Sequence, residues 1–280
     1  MIKNVLITGA TSGIGKSLAK LCAKKGYNLI ITGRHKEKAE SAHKEILNYS
    51  KDKSVKLFIA DLSLLKETGK LAEFVKSNFT RLDVLVNNAA LSLPKRETTR
   101  EGIEKVFATN HLSYFYITEL LLDLLKLSAP SRIINVSSEA HMDIDFTNIM
   151  SEMKYNQYKV YGKSKAANIM FTYLLSEKLK GTGVNANCLH PGVVRSRIYD
   201  NVPFPVRIFI NMMKPFFISA DKSAEYIFPL VHDDKFSSVT GKYFVKGRES
   251  ESKEFTYIKE RQERLWEICT KIIAERSKFK

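Results

Sequence analysis

Short apolar runs alternate with amphipathic segments along most of the chain. The first run, NVLIT from Asn4 to Thr8, predicts a buried strand, and the segment from Lys16 to Lys24 has apolar residues at helical spacing. By the same criteria, strands are predicted near residues 4–8, 28–32, 55–60, 82–87, 132–137, 184–190 and 241–245. Strands that alternate with helices predict an α/β fold, in which helices flank a doubly wound, mainly parallel sheet of about seven strands.

One stretch, residues 193–220, departs from this alternation. It holds three prolines among phenylalanine, isoleucine and methionine residues, and it follows the end of a predicted strand. Because ligands bind an α/β sheet at the carboxyl ends of its strands, we predict that this insert is an apolar substrate lid. Core packing and a surface for a partner or a membrane are the alternatives. No linker divides the rest, so residues 1–280 are predicted to form a single domain with this lid and a C-terminal helix.

A glycine-rich turn, TGATSGIG, joins the first predicted strand to the first predicted helix. Its glycines, Gly9, Gly13 and Gly15, are spaced GxxxGxG, which differs from the commoner GxGxxG. Small residues at such a turn let the backbone approach a pyrophosphate at the helix N-terminus. Glycines also end strands and begin helices, but here a second predicted strand follows the helix. The segment therefore predicts a dinucleotide-binding βαβ unit of the Rossmann type.

Tyr161 and Lys165 lie four residues apart in a predicted helix, so both project from one face. A free phenol has a pKa of about 10 and transfers protons poorly near neutrality. A neighbouring ammonium lowers that pKa and makes Tyr161 a candidate general acid and base. The spacing is common on solvated helix faces and gains weight only beside the glycine turn. Tyr155 and Tyr158 are rival phenols, but neither has a lysine at i+4.

The residues after the second predicted strand, Gly33, Arg34 and His35, bear on the choice of cofactor. NAD sites commonly place a carboxylate there, whereas an arginine accommodates the 2′-phosphate of NADP. The chain has no carboxylate until Glu37, so we predict that Arg34 contacts this phosphate and that NADP is preferred over NAD. A surface arginine at the start of a helix is the alternative. Lys16, just after the glycine turn, would add positive charge.

Four further motifs complete the pattern. They are NNAA from Asn87 to Ala90, NVSSEAH at 135–141, YGKSKAANIMFTYLL at 161–175 and LHPGVV at 189–194. Together with the glycine turn, and in this order, they resemble the short-chain dehydrogenase/reductase family, which usually has NNAG at the first of these motifs. The nearest resemblance is to the retinol dehydrogenase-like and carbonyl-reducing members of that family.

The resemblance implies a hydride transfer that four residues assist. Tyr161 would exchange a proton with the reacting oxygen, and Ser138 would hydrogen-bond the same oxygen as charge develops. Lys165 would lower the pKa of the phenol and hold the nicotinamide ribose. Asn110 would support a water that links Lys165 to solvent. Ser137 is the rival of Ser138, which stands at the family's catalytic position.

The same motifs imply the cofactor site. Asp61, after the third predicted strand, matches the family's adenine-binding acid, although it could instead cap the helix that follows. His141 and His190 are expected to be structural. The predicted cofactor-binding residues are Gly9, Thr11, Ser12, Gly13, Ile14, Gly15, Arg34, Asp61, Leu62, Asn88, Ala89, Ala90, Tyr161, Lys165, Pro191, Gly192 and Val194.

We therefore predict an NADP(H)-dependent oxidoreductase that interconverts an alcohol and a carbonyl on a small lipophilic substrate, which an apolar lid would suit. The alternative is a non-catalytic protein that senses a dinucleotide with the same fold. Such a protein would have no requirement for Tyr161 and Lys165.

Composition bears on metal binding and on the cellular compartment. The three cysteines form no metal-ligand pattern, so no metal site is expected, and they predict a reduced compartment. The chain starts almost at its first strand and has no apolar run of ~20 residues. We therefore expect a cytoplasmic protein without a signal peptide or a transmembrane segment, in contact at most with a membrane surface.

Charge and helix surfaces bear on the partners. The net charge of +15 is scattered over predicted helices and is not clustered as nucleic-acid binding requires, so no nucleic-acid partner is expected. Apolar residues extend along segments 99–126 and 158–180. In many members of the family the corresponding helices pair across a two-fold axis, which favours a homodimer, although covering the sheet already requires one apolar face.

Overall fold

The computed structural model describes residues 2–51, 54–193 and 217–277. Within these ranges, eight strands form one sheet in the order β3-β2-β1-β4-β5-β6-β7-β8. The strands are β1 (Asn4–Ile7), β2 (Asn28–Gly33), β3 (Val55–Ile59), β4 (Val84–Asn87), β5 (Ser131–Val136), β6 (Val184–His190), β7 (Tyr243–Val245) and β8 (Arg248–Ser250). All neighbours pair in parallel except β7 and β8, which are antiparallel. The doubly wound α/β fold is thus confirmed.

Helices follow the strands in alternation. They are α1 (Gly13–Lys24), α2 (Lys36–Leu47), α3 (Leu65–Asn78), α4 (Lys105–Phe107), α5 (Ser113–Leu127), α6 (Gln157–Lys178), α7 (Ala220–His232) and α8 (Lys259–Arg276). A π-helical turn, Ala108–Leu112, joins α4 to α5. In the described part of the chain, no helix combines the length and the apolar character needed to cross a bilayer.

Both faces of the sheet are covered by helices. Successive side chains of a strand point to opposite faces, so a strand buried on both faces is apolar throughout. Leu6 of β1 and Ile133 of β5 belong to a core that they share with α3, α5, α6 and α8. Val5 and Ile134, their neighbours in sequence, belong to a second core shared with α1, α2 and α7. The continuous apolar runs in the sequence reflect this two-sided burial.

Strand β8 is absent from the seven strands that the sequence predicts. It forms a hairpin with β7 through two residues, Lys246 and Gly247, whose φ angles are +50° and +78°. Positive φ at both positions is typical of a tight hairpin turn, which asparagine or aspartate before glycine usually signals. Here lysine occupies the first position, so the turn carries no such signal.

The first helix also begins earlier than the sequence suggests. Ser12 has an extended backbone and is the N-cap of α1, so Gly13 and Gly15 lie in its first turn and not in the preceding loop. The expected start of the helix at Lys16 is therefore wrong by one turn. The predicted apolar lid, residues 193–220, falls for the most part outside the described residues, at 194–216.

The C-terminal helix α8 covers the groove between α5 and α6. The Trp266 ring lies 4.8 Å from the ring of Phe115 and 5.7 Å from that of Phe171, measured between centroids. The apolar residues that favoured a homodimer are buried or half-buried within one chain; they are Leu120, Leu121, Leu122, Leu124, Leu125, Ile169, Met170, Phe171, Leu174 and Leu175. The homodimer stays a prediction, because these residues are covered without a partner.

We expect α8 to contribute strongly to stability. Leu265 is 1% exposed in the core, so Leu265→Ala should lower the free energy of unfolding by about 2 to 5 kcal/mol, through lost burial and the cavity left behind. Glu267, on the exposed side of the same helix, supplies the control, and its replacement by alanine should change this free energy by less than about 0.5 kcal/mol. Equilibrium urea unfolding measures both, and similar values for the two variants would contradict the role of α8.

Candidate active site

The parallel strands, β1 to β7, all end at one edge of the sheet. Strand β1 lies between β2 and β4, so the strand order reverses there. In α/β sheets the crevice outside such a reversal is where ligands bind. The segments that follow these strands carry most of the predicted site residues: residues 9–15 after β1, 34 after β2, 61–62 after β3, 88–90 after β4, 138 after β5 and 191–193 after β6.

The glycine turn makes close backbone contacts that leave no room for side chains. A Cβ on Gly9 would lie 2.7 Å from Ala89 Cα, and a Cβ on Gly15 would lie 2.6 Å from Gly9 O. Gly9 also has a φ of +65°, which side-chain-bearing residues rarely adopt. The turn therefore presents bare backbone at the sheet edge, where a ligand can approach closely.

Asn88 and Thr8 hold this turn in place. The Asn88 side-chain amide donates to Thr8 O at 2.9 Å and to Gly9 O at 3.1 Å. Thr8 Oγ1 in turn accepts from the backbone N–H groups of Asn88 at 2.9 Å and Ala89 at 3.1 Å. Sequence reasoning treated Thr8 only as the end of a strand, and a hydroxyl placed directly before the glycine turn was the available signal. The glycine turn and the NNAA segment thus form one unit.

The first turn of α1 fits an anionic group. The N-cap Ser12 is exposed and its side chain makes no capping hydrogen bond, while the first turn holds no acidic residue. Free N–H groups and the helix dipole favour an anion at this position. Thr11 and Ile14 are half-buried beside it. Together with the bare glycine backbone, these residues fit the pyrophosphate of a dinucleotide.

Lys16 forms an ion pair with a residue of α2. Its Nζ pairs with Glu45 of α2 at 2.7 Å, and Lys20 contacts the other oxygen of the same carboxylate. Two lysines share one carboxylate here, so a net positive charge remains on this side of α1, and a contribution of Lys16 to the cofactor site stays a prediction.

Arg34 lies beside the glycine turn. A Cβ on the preceding residue, Gly33, would clash with Thr11 Cγ2, so the turn packs directly on the end of β2. The Arg34 side chain is exposed, and its Nε donates to His35 Nε2 at 3.3 Å. The glycine turn and the first turn of α1, residues 9–15, are called the dinucleotide cradle below. The positive charge of Arg34 thus lies next to this cradle, without a carboxylate partner among the described residues.

Asp61 does not cap the helix that follows β3. Its Oδ1 accepts from Ser63 N at 3.0 Å, and α3 begins two residues later. The carboxylate that caps α3 belongs to Glu101, which accepts from Leu65 N at 2.7 Å and from Lys66 N at 3.2 Å. The capping alternative for Asp61 is therefore wrong. Its half-buried carboxylate lies at the sheet edge in the place expected for an adenine contact.

Asn110 lies in the π-helical turn and is fully buried. Its side chain accepts from Leu91 N at 2.8 Å and donates to Leu91 O at 2.9 Å, which fixes the loop after β4. The amide also donates to Ser164 Oγ at 3.0 Å, on α6 beside Lys165. The Asn110 side chain therefore ties the loop after β4 to the helix that carries Tyr161.

The two serines at the end of β5 have different surroundings. Ser137 is buried and donates its hydroxyl to Lys165 O at 2.7 Å, so it anchors the backbone of α6. Ser138 is half-buried, and its Oγ accepts from Ala140 N at 3.1 Å. The loop after Ser138 packs against α6 at Gly162, where a Cβ would lie 2.7 Å from Ala140 O. Because Gly162 follows Tyr161 directly, this contact brings the Ser138 loop to the candidate acid and base.

Lys165 is 1% exposed and lies beside Tyr161. Its Nζ donates to Val136 O at 3.0 Å and stands 5.6 Å from the centroid of the Tyr161 ring. Burial lowers the pKa of the Lys165 ammonium to about 7. Of the rival phenols, Tyr155 donates to Leu93 O at 2.8 Å and Tyr158 is partly exposed. The i, i+4 pair thus has the shared environment that the sequence suggested.

A buried chain of hydrogen bonds supports this arrangement from behind. Asn168, three residues after Lys165, donates to Asn110 O at 2.9 Å. Its Oδ1 lies 2.9 Å from Nδ1 of His111, whose Nε2 lies 3.4 Å from Cys269 Sγ on α8. Burial lowers the pKa of His111 to about 4, so the ring is neutral near pH 7 and Nδ1–H donates. Sequence reasoning missed Asn168, although an amide inside the run AANIMF was a signal.

The histidines after β5 and at the end of β6 are buried. His141 Nδ1 lies 2.8 Å from Ser138 O, and its Nε2 accepts from Lys253 N at 3.1 Å, so both nitrogens hold loops together. His190 Nε2 lies 3.0 Å from the Glu139 carboxylate. Burial is the main cause that lowers the pKa of His190 to about 4, so this contact is not an ion pair near neutrality.

The loop after β6 closes the row of predicted residues. Pro191 O accepts from Ser223 Oγ at 2.9 Å, and Gly192 has a φ of +93°. A Cβ on Gly192 would meet the end of the Ile218 side chain, and the positive φ disfavours any residue but glycine here. Val194, the last residue of the predicted cofactor site, lies outside the described residues.

Known proteins resemble this chain in sequence. The family model for short chain dehydrogenases matches residues 3–203. Retinol dehydrogenase 13 of Mus musculus is 39% identical over 279 residues, which cover 97% of this chain and 84% of that protein. Retinol dehydrogenase 12 of Homo sapiens is 34% identical over 276 residues, which cover 98% of this chain and 87% of that protein.

Solved structures give the same result. The NADP active-site complex of Pseudomonas aeruginosa RhlG has a TM-score of 0.71 and 27% identity, and the match covers 87% of this chain and 94% of that one. A Caenorhabditis elegans short-chain dehydrogenase/reductase of unknown function, solved with cofactor, also has a TM-score of 0.71, with 25% identity and coverage of 87% and 93%.

The fold and the site define an NAD(P)-binding oxidoreductase of the Rossmann type. The chain belongs to the short-chain dehydrogenase/reductase family, and its similarity to retinol dehydrogenases extends over nearly its whole length. It is a dehydrogenase that acts on CH–OH groups.

Alanine substitutions at Gly15 and Gly69 test the close packing of the glycine turn. Gly15→Ala should destabilise the protein by about 1 to 3 kcal/mol and weaken NADPH binding, since the added Cβ meets Asn88 Nδ2 and Gly9 O. Gly69, inside α3, has nothing within 4 Å of an added Cβ, so Gly69→Ala should stabilise the helix by about 0.5 to 1 kcal/mol. Chemical unfolding and NADPH fluorescence titration measure the two effects. Wild-type stability and affinity in Gly15→Ala would contradict the close packing of the turn.

Proposed function

We propose that this protein is an NADP(H)-dependent oxidoreductase that interconverts an alcohol and a carbonyl on small lipophilic substrates, with Tyr161 as general acid and base. The observation that supports this most directly is the burial of Lys165 beside Tyr161, on a helix that packs at Gly162 against the Ser138 loop. A phenol and an ammonium thus lie side by side, on a helix that contacts the loop carrying the Ser138 hydroxyl.

In the proposed mechanism the residues of the chain manage one proton. The nicotinamide, when bound, supplies the hydride chemistry. In reduction Tyr161 donates its proton to the carbonyl oxygen, and in oxidation it accepts the proton of the alcohol. Ser138 donates a hydrogen bond to the same oxygen as negative charge develops. Lys165, as an ammonium, favours the phenolate form of Tyr161 and would hold the nicotinamide ribose of the bound cofactor.

Asn110 and Asn168 hold the helix that carries Tyr161 and Lys165 in position. Both belong to one hydrogen-bonded group that joins the π-helical turn to α6, and Val136 O accepts from Lys165 Nζ at 3.0 Å and from Asn168 Nδ2 at 3.4 Å. The Asn110 side chain is engaged by Leu91 and Ser164, and its backbone carbonyl already accepts from Asn168. A water in a proton path from Lys165 would therefore donate to the second lone pair of this carbonyl.

The preference for NADP rests on Arg34. It is the exposed cation next to the packed contact between Gly33 and Thr11, at the end of the strand where dinucleotides place their adenosine ribose. Among structural relatives, the RhlG complex is described with NADP. A guanidinium at this position would pair with the 2′-phosphate that only NADP carries.

The proposal of a lipophilic substrate has two supports. Exposed apolar side chains lie along the proposed site: Met142 packs over Gly162 next to Tyr161, and Val193 follows Gly192. The relatives of highest similarity reported above are named for retinol, an apolar alcohol. The predicted apolar lid would continue this surface.

Replacing the phenol tests the mechanism. Tyr161→Phe removes the transferable proton and keeps the ring, so turnover of lipophilic aldehydes and ketones with NADPH should fall about 10²- to 10⁴-fold. NADPH affinity should persist, because the cradle is unchanged. Tyr158→Phe, on an exposed phenol of the same helix, is the control and should leave turnover near that of the wild type. Undiminished turnover by Tyr161→Phe would overturn the assignment.

Removing the guanidinium tests the cofactor preference. Arg34→Ala should weaken NADPH binding roughly tenfold to more than a hundredfold, because a charge-assisted hydrogen bond contributes about 1.5 to 3 kcal/mol. NADH affinity should stay nearly constant, since NADH lacks the 2′-phosphate. Lys126→Ala removes an exposed cation at the opposite edge of the sheet and controls for net charge. Equal losses for NADPH and NADH would refute the contact.

A further inference from the structure

The ammonium of Lys165 has few polar partners. Val136 O accepts one hydrogen bond from Nζ, and no carboxylate within the described ranges pairs with it. A buried charge that has no counterion needs another source of stabilisation. Two phenol rings provide electron-rich faces near it: the centroid of Tyr161 lies 5.6 Å from Nζ, and the centroid of Tyr114 lies 5.8 Å away.

Tyr114 is a residue that the mechanism above does not use. It is the second residue of α5, close to the end of the π-helical turn, and it is 1% exposed. Burial, followed by the effect of Tyr161, raises the pKa of Tyr114 well above its ordinary value, so its phenol stays neutral. It therefore provides no counter-charge to Lys165. What it offers the ammonium is the face of its ring.

We propose that Tyr114 is a positioning residue, whose aromatic face stabilises the Lys165 ammonium and keeps it charged beside Tyr161. This inference rests on the proposed function for the role of Lys165. It extends that function by adding a side chain from α5 to the site.

Two substitutions of Tyr114 separate the effect of its ring face from other effects. Within the described part of the chain the Tyr114 hydroxyl has no hydrogen-bond partner, so Tyr114→Phe removes no hydrogen bond and keeps the ring. Tyr114→Leu removes the ring face and remains apolar. The two variants therefore separate the aromatic face from simple filling of the core, because a cation is attracted to an aromatic ring but not to an aliphatic side chain.

The sign of the expected effect follows from the charge. A ring face favours the ammonium over the neutral amine, so its loss lowers the pKa of Lys165. If the ammonium holds the nicotinamide ribose, NADPH affinity falls as pH rises through that pKa. The midpoint of this fall should therefore move to lower pH in Tyr114→Leu. A cation–π interaction of about 0.5 to 2 kcal/mol corresponds to roughly 0.4 to 1.5 pH units.

The titration of Lys165 can be distinguished from that of other groups near it. His111, in the π-helical turn, and His190, at the end of β6, each have a pKa lowered by burial to about 4, below the range of interest. Tyr114 stays neutral, as described above. Tyr161, on the same helix as Lys165, is removed as a variable when all measurements use the Tyr161→Phe background, which keeps the second ring face.

The experiment is a fluorescence titration of NADPH between pH 5 and pH 9, in the Tyr161→Phe background with Tyr114, Tyr114→Phe or Tyr114→Leu. Titration of the 2′-phosphate is common to all three proteins and cancels in the comparison. We expect the midpoint with phenylalanine to stay within about 0.3 pH units of that with tyrosine, and the midpoint with leucine to fall by the amount given above. Tyr114→Met replaces the leucine variant if the latter unfolds.

Two results would overturn the proposal. One is a leucine or methionine variant with the same midpoint as Tyr114, and the other is a phenylalanine variant that shifts as far as leucine does. Neither depends on turnover. If Tyr161→Phe alone, with Tyr114 in place, keeps wild-type turnover, the proposed acid and base fails, while the midpoint comparison still tests the effect of Tyr114 on Lys165.

Discussion

Burial of helix α6 is the constraint on which the active site depends. Every residue from Ser164 to Ser176 is buried, because the sheet covers one side of the helix and α8, with the π-helical turn, covers much of the rest. Lys165 lies inside this stretch and is held away from water. Its charge is tolerated only with local stabilisation, and it acquires a pKa close to neutrality as a result. A solvated helix with the same Tyr-x-x-x-Lys spacing would have an ordinary, fully charged lysine.

The same burial encloses polar side chains behind the site, and several of them pair with one another. Asn87 of β4 donates to Asn135 of β5 at 2.9 Å, Asn135 donates to Thr172 of α6 at 2.9 Å, and Thr172 donates to Asn168 O at 2.6 Å. A paired polar network inside an apolar core permits few alternative arrangements, since a displaced member would leave a buried group unpaired. The network therefore fixes α6 relative to the strands whose ends carry the cofactor residues.

Sequence patterns predicted the elements well and the contacts between distant segments poorly. The boundaries of seven strands agree with the structure within two residues, because two-sided burial imposes continuous apolar runs. The hairpin to β8 was missed because Lys246 gives no turn signal. The capping alternative for Asp61 was wrong because Glu101 supplies the cap from 36 residues away. The ion pair of Lys16 was not foreseen because its partner, Glu45, lies on another helix.

What the sequence determined by itself is local. Glycines at 9 and 15 mark places where the backbone must approach another segment, and a tyrosine with a lysine at i+4 shares one helical face, whatever surrounds it. Only the tertiary structure decided how those groups behave. It decided that Ser137 anchors α6 while Ser138 stays half-exposed, and that Lys165 is buried between phenol rings. The reason is physical: the strength of a charge or hydrogen bond depends on which segments exclude water from it, and those segments are far apart in the chain.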